Sequence, residues 1–248
     1  MRLRPAVSGL SPRLVSACEQ LLALVEEKGF VLGGADTLLA FARRRAERPQ
    51  ADESDRALVR AVRLYYAVRD DIVYTPYCDF TDVETFRASA CLSRHSGFCV
   101  AKASLLTAAA RAAGIPARIG FADVRNHLCT PRLRALMGTD TFVYHGYTDL
   151  YLDGRWVKAT PAFDRGLCEK FGVRALEFDG RADSLFQPTD VAGRRHMEYL
   201  RDRGTRADVP AAEIMAAFAE HYPGLVARPA AASVTQFRTE AEDASGRS

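Results

Sequence analysis

A cysteine stands at the start of an Ala- and Leu-rich stretch of the sequence. Ser96 is predicted as the N-cap of a helix here, and Gly114-Ile115-Pro116 as its end. Cys99 then lies in the first turn, where unpaired backbone N–H groups and the helix dipole stabilise an anion. We expect a thiol there to lose its proton more readily, and the thiolate is the nucleophile. The alternative is plain packing, since cysteine is among the most buried residue types.

His145 is the second candidate for chemistry. It lies in a run of β-branched and aromatic residues, 141–152, which predicts a strand. Asp153-Gly154 predicts a two-residue hairpin turn, and 155–160 the returning strand. An imidazole on this strand could take the proton of the Cys99 thiol.

The register of the predicted hairpin points to an acid beside the histidine. When the pairing is extended along both strands, His145 lies opposite Ala162. Directly opposed residues share a face, so Thr160 and Asp164 become the diagonal neighbours of His145. Pro161 weakens the placement of Asp164, because proline interrupts regular pairing. We expect the Asp164 carboxylate to orient the imidazole, which would complete a catalytic triad of cysteine, histidine and acid.

Several short motifs follow one another in a characteristic order. They are Gly97-Phe98-Cys99, Ala103-Ser104-Leu105-Leu106, Arg111-Ala112-Ala113-Gly114-Ile115-Pro116-Ala117-Arg118, His145 and Tyr151-Leu152-Asp153-Gly154-Arg155-Trp156-Val157, preceded by the stretch from Tyr65 to Tyr74. Together they resemble the transglutaminase-like superfamily of papain-type cysteine enzymes, over roughly residues 55–165. The resemblance implies an α+β fold with a papain/transglutaminase-like core. In that core the nucleophile helix packs on an antiparallel β-sheet, and further helices are added at both ends of the chain.

The resemblance also implies site residues and a reaction. Cys99 would be the nucleophile and His145 the general base and acid. Attack on an amide carbonyl would form an acyl-thioester, which water or an amine resolves. A hydrolase (protease or amidase) and an acyltransferase (transglutaminase) use the same residues, so all three activities stay open. The expected partner is a peptide, a protein or a small amide substrate.

Two positions depart from the pattern of that family. The family usually has an aspartate just before the proline that follows the second strand, and this position is Thr160. Tyr147 stands where the family often has tryptophan. Since Thr160 cannot carry a charge, Asp164 is the expected substitute. If Asp164 does not reach His145, the site is either a weaker dyad or no longer catalytic. The alternative function is that of a non-catalytic transglutaminase-like binding or scaffold protein.

The domain organisation is predicted to be simple. The chain of 248 residues is expected to form one transglutaminase-like domain over 1–226, with a disordered tail over 227–248. Within the domain, the core spans about 55–165. A helical part over 10–54 precedes it, and an extension over 166–226 follows it.

Local patterns predict individual elements of this domain. Helical spacing of apolar residues predicts helices at about 55–70, 197–200 and 211–222. Residues 115–124 are typical of a strand, and 126–140 of a loop that shapes the cleft.

Composition narrows the class of partner and the compartment. The net charge is +3 with arginine spread along the chain, whereas nucleic-acid binding favours a clustered basic patch. No apolar stretch is long enough to span a membrane, and the start of the chain lacks the apolar region of a secretory segment. We therefore expect a cytoplasmic protein with free thiols, no nucleic-acid partner and no membrane contact. The oligomeric state stays open.

A zinc site is the metal alternative. Cys91, His95 and Cys99 are spaced by four residues, and His127 and Cys129 follow. Zinc prefers cysteine and histidine ligands, but the close Cys-x-x-Cys pair of common sites is absent and the predicted hairpin would have no role. The prediction is therefore a site without metal or other cofactor.

Overall fold

The computed structural model describes residues 53–227 and 234–244, which lie in the same compact unit. The predicted helical part over 10–54 lies almost wholly outside the described residues. The elements in chain order are α1 (Glu53–Asp71), β1 (Val73–Tyr74), a 3-10 helix (Val83–Phe86), α2 (Ala88–Arg94), β2 (Ser96–Gly97), α3 (Cys99–Ala112), β3 (Ala117–Asn126), α4 (Pro131–Met137), β4 (Thr141–Leu152), β5 (Arg155–Ala159), α5 (Arg165–Phe171), β6 (Met197–Arg206), α6 (Ala211–His221), α7 (Pro223–Val226) and α8 (Val234–Ala244).

The central sheet is antiparallel, with the strand order β5-β4-β3-β6. Its hairpin has the predicted register, because Leu152 pairs with Arg155. Pairing stops at Thr148 and Ala159, so the predicted extension to Ala162 is wrong. Pro161 explains the stop, since proline cannot donate a ladder hydrogen bond and fixes φ.

An irregularity in β4 lies directly before His145. The pairing with β3 shifts between Ala122, opposite His145, and Val124, opposite Phe142. Tyr144 has φ +56, an uncommon backbone conformation for a non-glycine residue, and its N–H donates to Asp123 Oδ1 at 3.1 Å. Such a bulge changes the direction of the side chains next to it, and here the affected neighbour is His145.

Helix α3 packs on β4. Twelve of its fourteen residues are buried, and most of them are small. The Thr148 hydroxyl on β4 donates to the Ala103 carbonyl oxygen at 2.9 Å and pairs with the Thr107 hydroxyl at 3.1 Å. The alanines let the helix approach the sheet closely, and the two threonines hydrogen-bond in the resulting buried interface. The predicted α+β fold, with the nucleophile helix on an antiparallel sheet, is confirmed.

The end of α1 is tied to α3 through a buried lysine. Lys102 Nζ donates to the carbonyl oxygens of Arg69 at 2.9 Å and Ile72 at 2.6 Å. Short parallel pairing of β1 with β2, in which Val73 lies opposite Ser96, follows directly along the chain. These contacts hold the segment that leads into Cys99.

Two segments differ from their predicted structure. Residues 197–200, predicted as helical, belong to β6, which pairs with β3 at the edge of the sheet. A run of four residues is too short to distinguish the two periodicities. Residues 234–244, in the predicted disordered tail, form α8, in which Phe237 and Ala241 are buried. Because the tail is mostly polar, its composition does not indicate that Phe237 is buried.

No helix in the described part of the chain is both long and apolar enough to cross a membrane. The prediction of one domain over 1–226 stays a prediction, because its first 52 residues are outside the described ranges.

Candidate active site

Cys99 is the first residue of α3, as predicted, but the cap of this helix is different. Phe98 is the N-cap and makes no side-chain cap hydrogen bond. Ser96, the predicted cap, pairs with Val73 in the short β1–β2 ladder instead. Because no side chain caps the helix, its first N–H groups stay available for an anion or for the thiol itself.

The Cys99 sulfur is surrounded by backbone donors. The N–H groups of Gly146, Val100 and Cys99 lie near Sγ and favour its charged form. Gly146 permits this arrangement, because a Cβ at that position would lie 2.8 Å from Val100 Cα and 3.3 Å from the Cys99 carbonyl oxygen. The glycine brings β4 against the start of α3, so that donors from two elements converge on one sulfur.

The protonation state of Cys99 differs from the expectation. Burial raises the pKa of the thiol to about 11, although the three N–H groups oppose this increase. The residue is only 8% exposed. A charged sulfur would lose its hydration there, and this cost exceeds the help from the helix start. The resting site therefore holds a neutral thiol.

Alkylation of Cys99 by iodoacetamide should show this directly. With a pKa of about 11, a fraction of about one in ten thousand is thiolate at pH 7, and the rate should rise roughly tenfold per pH unit towards pH 10. Peptide-level mass spectrometry after timed quenching measures it, with free glutathione as the reference thiol. The same profile is expected for His145→Gln, because the imidazole is uncharged at these pH values. A rate plateau that begins below pH 8 would contradict the buried neutral thiol.

His145 lies on β4 with its side chain in the protein interior. The residue is 5% exposed, and its ring is 5.2 Å from that of Phe186 between centroids. Nε2 is buried and has no hydrogen-bond partner. Burial alone lowers the pKa of His145 to about 4, so the ring is neutral at pH 7 and can accept a proton.

The two candidates are linked through the backbone rather than by a direct bond. Among the hydrogen bonds of residues 53–227 and 234–244, none joins the Cys99 thiol to His145. The N–H that reaches the sulfur belongs to Gly146, the residue directly after His145. Proton transfer between the two side chains therefore requires them to approach one another further.

His145 also lines a small cavity of about 20 Å³. Its wall is largely aromatic, with a few polar groups at one side. Other wall residues are Tyr74, Asn126, Cys129, Phe163, Phe171 and Phe237. A cavity of this volume holds about one water molecule.

Asp164 does not have its predicted role. Its Oδ1 accepts the Leu167 N–H at 3.0 Å, as the N-cap of α5, and pairs with Arg238 at 2.6 Å. Its Oδ2 accepts the Tyr74 N–H at 3.2 Å. No carboxylate contributes to the shifted pKa of His145. The chain leaves the sheet after Ala159, so the alternation of faces on which the prediction depended does not extend to Asp164.

Thr160, at the position of the usual family aspartate, is buried and uncharged. Its Oγ1 makes no geometrically satisfactory hydrogen bond, although it lies near enough to Tyr199 to influence the pKa of that hydroxyl. Burial raises the pKa of Tyr199 to about 12. Asp149, on the same strand as His145, pairs with Arg118 at 2.8 Å. Neither Thr160 nor Asp149 replaces the missing acid.

Two residues near the thiol were missed in the sequence. Gly146 contributes an N–H to Cys99, and the only sequence signal for it is a glycine next to the candidate histidine. Tyr74 lines the cavity, and its pKa is raised well above its usual value, first by burial and then by the nearby Cys99. Nothing local in the sequence distinguishes Tyr74 from a core tyrosine.

The side chains proposed as zinc ligands are not brought together in the part of the chain that the structure describes. Within the described ranges, no group of three or more His, Cys, Asp or Glu side chains is placed to hold a metal ion. The cysteines of these ranges are free thiols, namely Cys78, Cys91, Cys99, Cys129 and Cys168.

The sequence matches a known family across the candidate site. Residues 43–161 match the family model of the transglutaminase-like superfamily. The matched segment contains Cys99, His145 and Thr160, and it ends before Asp164.

Two solved structures are similar to the chain. One is a candidate cysteine protease from Cytophaga hutchinsonii, with 17% identity and a TM-score of 0.44, covering 84% of this chain and 52% of that one. The other is a candidate protease from Parabacteroides distasonis, with 17% identity and a TM-score of 0.37, covering 58% of this chain and 26% of that one. The chain thus spans about half the length of the first and a quarter of the second. No curated protein matches the chain.

Proposed function

We propose that this protein is a transglutaminase-like thiol enzyme that cleaves or transfers an amide or acyl group. The supporting observation is the surroundings of Cys99 Sγ, at an uncapped helix start with three backbone N–H groups nearby. A neutral histidine with an unpartnered Nε2 precedes one of these donors in the chain. A peptide, a protein or a small amide is the substrate class, and a cytoplasmic location stays a prediction.

The proposed reaction starts from a neutral thiol and a neutral imidazole. The Cys99 sulfur bonds to the substrate carbonyl carbon while its proton passes to His145 Nε2. The Cys99 N–H stabilises the oxygen that becomes negative. The carbon–nitrogen bond then breaks, and the leaving amine takes the proton from His145. Water or a second amine then attacks the thioester carbon and gives a proton to His145. The carbon–sulfur bond breaks, the acyl group leaves as an acid or a new amide, and the Cys99 sulfur takes the proton back.

This mechanism uses a dyad rather than a triad. Asp164 has no part in it, because both of its oxygens are bonded elsewhere. Packing against Phe186 would orient the imidazole instead. Aromatic packing restrains the ring but does not stabilise the imidazolium as a carboxylate does, so we expect a slower enzyme than one with a complete triad.

A binding or scaffold protein is the second candidate function. The observation that favours it is Thr160, buried and uncharged where the family usually has an aspartate. A protein of this kind would have a Cys99 thiol that is unreactive towards acyl donors. In such a protein, loss of His145 would not change the rate at which Cys99 is acylated.

Acylation by an activated ester separates the two candidates. The protein is incubated with p-nitrophenyl acetate near pH 8, and each cysteine peptide is examined for a thioester by mass spectrometry. We expect an adduct at Cys99, none in Cys99→Ala, and a rate about a hundredfold lower in His145→Ala, the usual contribution of a general base. Cys168→Ala is the matched control, since it removes another buried thiol. Equal labelling of Cys99 and the other cysteines, unaffected by His145, would favour the binding protein.

A further inference from the structure

Helix α8 covers the cavity that His145 lines. Phe237 of this helix is 2% exposed and forms part of the cavity wall. Its ring centroid lies 5.8 Å from that of Tyr74 and 6.0 Å from that of Phe171, which are wall residues as well. The helix therefore places one aromatic side chain in the apolar part of the cavity.

The remaining space excludes a substrate. About 20 Å³ is free with Phe237 in place, which is the room of about one water molecule. An amide with even a small side chain needs several times this volume. If His145 acts on a substrate in this cavity, the cover must first move.

Helix α8 is attached largely through polar contacts at its edges. Arg238 pairs with Asp164 at 2.6 Å, and Glu242 with Lys170 at 2.5 Å. Glu240 Oε2 accepts from the Tyr77 hydroxyl at 2.5 Å and from the Thr130 hydroxyl at 3.2 Å, and Glu240 Oε1 lies 3.6 Å from Arg132 Nε. Charged and polar contacts of this kind, rather than a broad apolar face, hold the helix in place.

Few apolar groups hold this helix in comparison with the core. Of the α8 residues whose side chains are described, only Phe237 and Ala241 are buried, whereas α3 buries twelve. Segments with few buried apolar contacts open locally at a lower free energy than the rest of a protein. Ion pairs at the surface also weaken with salt. Release of α8 without unfolding of the core is therefore physically accessible.

We infer that α8 is a removable cover of the cavity on the His145 side of the candidate active site, and that Phe237 occupies the place of an aromatic or large apolar group of the substrate. This inference rests on the proposed function. The walls left when Phe237 departs are the rings of Tyr74, Phe163 and Phe171, which favour an aromatic guest. His145 lies in the same wall, next to where that guest would be bound.

Cysteine labelling of the full-length Phe237→Ala variant tests the cover without any need for catalysis. Cys129 lines the cavity and reports its opening, whereas Cys91 packs against Gly97 and reports global unfolding. We expect the rate of N-ethylmaleimide labelling to rise about tenfold at Cys129 and to stay unchanged at Cys91. Arg238→Gln should act in the same direction by breaking the pair with Asp164. Asp243→Ala, on the exposed side of α8, should leave both rates unchanged.

Protection by a ligand tests the substrate class. In Phe237→Ala, phenylalaninamide should slow the labelling of Cys129 several-fold, and glycinamide should not. Equal protection by both amides, or by neither, would overturn the assignment of an aromatic guest. If the labelling rate of Cys129 does not rise, or rises together with that of Cys91, the proposal that α8 is a removable cover is wrong.

A different set of results would show that the proposed thiol-enzyme function is wrong while the cover is real. If Cys129 becomes accessible and phenylalaninamide protects it, but Cys99 accepts no acyl group in wild type or in Phe237→Ala, the cavity is a covered binding site. The removable cover would stand in that case, and the thiol-enzyme proposal would not. If wild-type Cys99 is acylated by an aromatic ester as fast as in Phe237→Ala, the cover does not restrict access and the inference fails.

Discussion

Lowering the pH from 6.5 to about 4 is expected to remove several kcal/mol of unfolding free energy through two buried histidines. Burial lowers the pKa of both His145 and His196 to about 4. In the unfolded chain a histidine has a pKa of about 6.5, so below this pH the unfolded state binds protons that the folded state does not. Stability is thus fully present above pH 6.5 and is lost as the pH falls through about 4. Each histidine contributes a loss of about 3 kcal/mol over this window.

The causes of the lowered pKa differ slightly between His145 and His196. For His145 burial is the only cause. For His196 burial is the largest cause, Asp190 opposes it and His127 adds to it. His196 Nδ1 is also buried without a partner. A positive charge on His145 would have no compensating partner, whereas on His196 Asp190 compensates it only in part.

Urea unfolding at a series of pH values between 7 and 4 measures this effect. His145→Gln and His196→Gln should each flatten the dependence of the unfolding free energy on pH by about half, because each removes one titrating group. His95→Asn is the matched control, since His95 is exposed and its φ of +50 is a conformation that asparagine tolerates. An acid dependence that is the same in wild type and in both glutamine variants would show that these histidines are not buried as neutral rings.

Gly146→Ala is expected to cost about 3 kcal/mol of unfolding free energy, at the upper end of overpacking effects. The new Cβ would lie 2.8 Å from Val100 Cα and 3.2 Å from Val100 N. These are backbone atoms at the start of α3 and cannot rotate away as a side chain could. Relief requires the helix start and β4 to separate, which would also move the Gly146 N–H from the Cys99 sulfur. The free energy of unfolding in urea and the alkylation rate of Cys99 should therefore change together.

A second glycine variant separates crowding from backbone effects. At Gly193 an added Cβ meets nothing within 4 Å, but its φ of +80 strains any other residue. Gly193→Ala should cost only about 1 kcal/mol, the penalty of this conformation, and should leave Cys99 unchanged. Similar losses for both variants would mean that the contact between β4 and α3 is looser than the structure has it.

Local patterns in the sequence were sufficient for much of the scaffold. The turn at Asp153-Gly154 and the alternation around it define the hairpin register, because a two-residue loop allows one pairing. The Ala/Leu run before Gly114 defines α3, and Gly114 has the positive φ of +78 that suits the residue after a helix. These features depend on neighbours close in sequence, so a single chain is enough to predict them.

The candidate acid shows where this reasoning stops. Asp164 shares a face with His145 only if the strand continues beyond Ala159, and whether it continues depends on how Pro161 redirects the chain. Asp164 instead meets Arg238, 74 residues away in the sequence. A partner at such a distance leaves no local trace. Helix α8 likewise has no clear local signal, because the composition of the tail is typical of a disordered segment.

Local sequence patterns were enough to predict a cysteine at the start of a helix, a histidine on a strand of the adjoining hairpin, and a resemblance to the transglutaminase-like superfamily. The protonation of Cys99 and His145, the partners of Asp164 and the position of α8 at the cavity depend instead on the tertiary structure. The reason is physical, since helix and strand patterns arise from short-range backbone geometry. Desolvation, ion pairing and occlusion depend on what the rest of the chain places around a group.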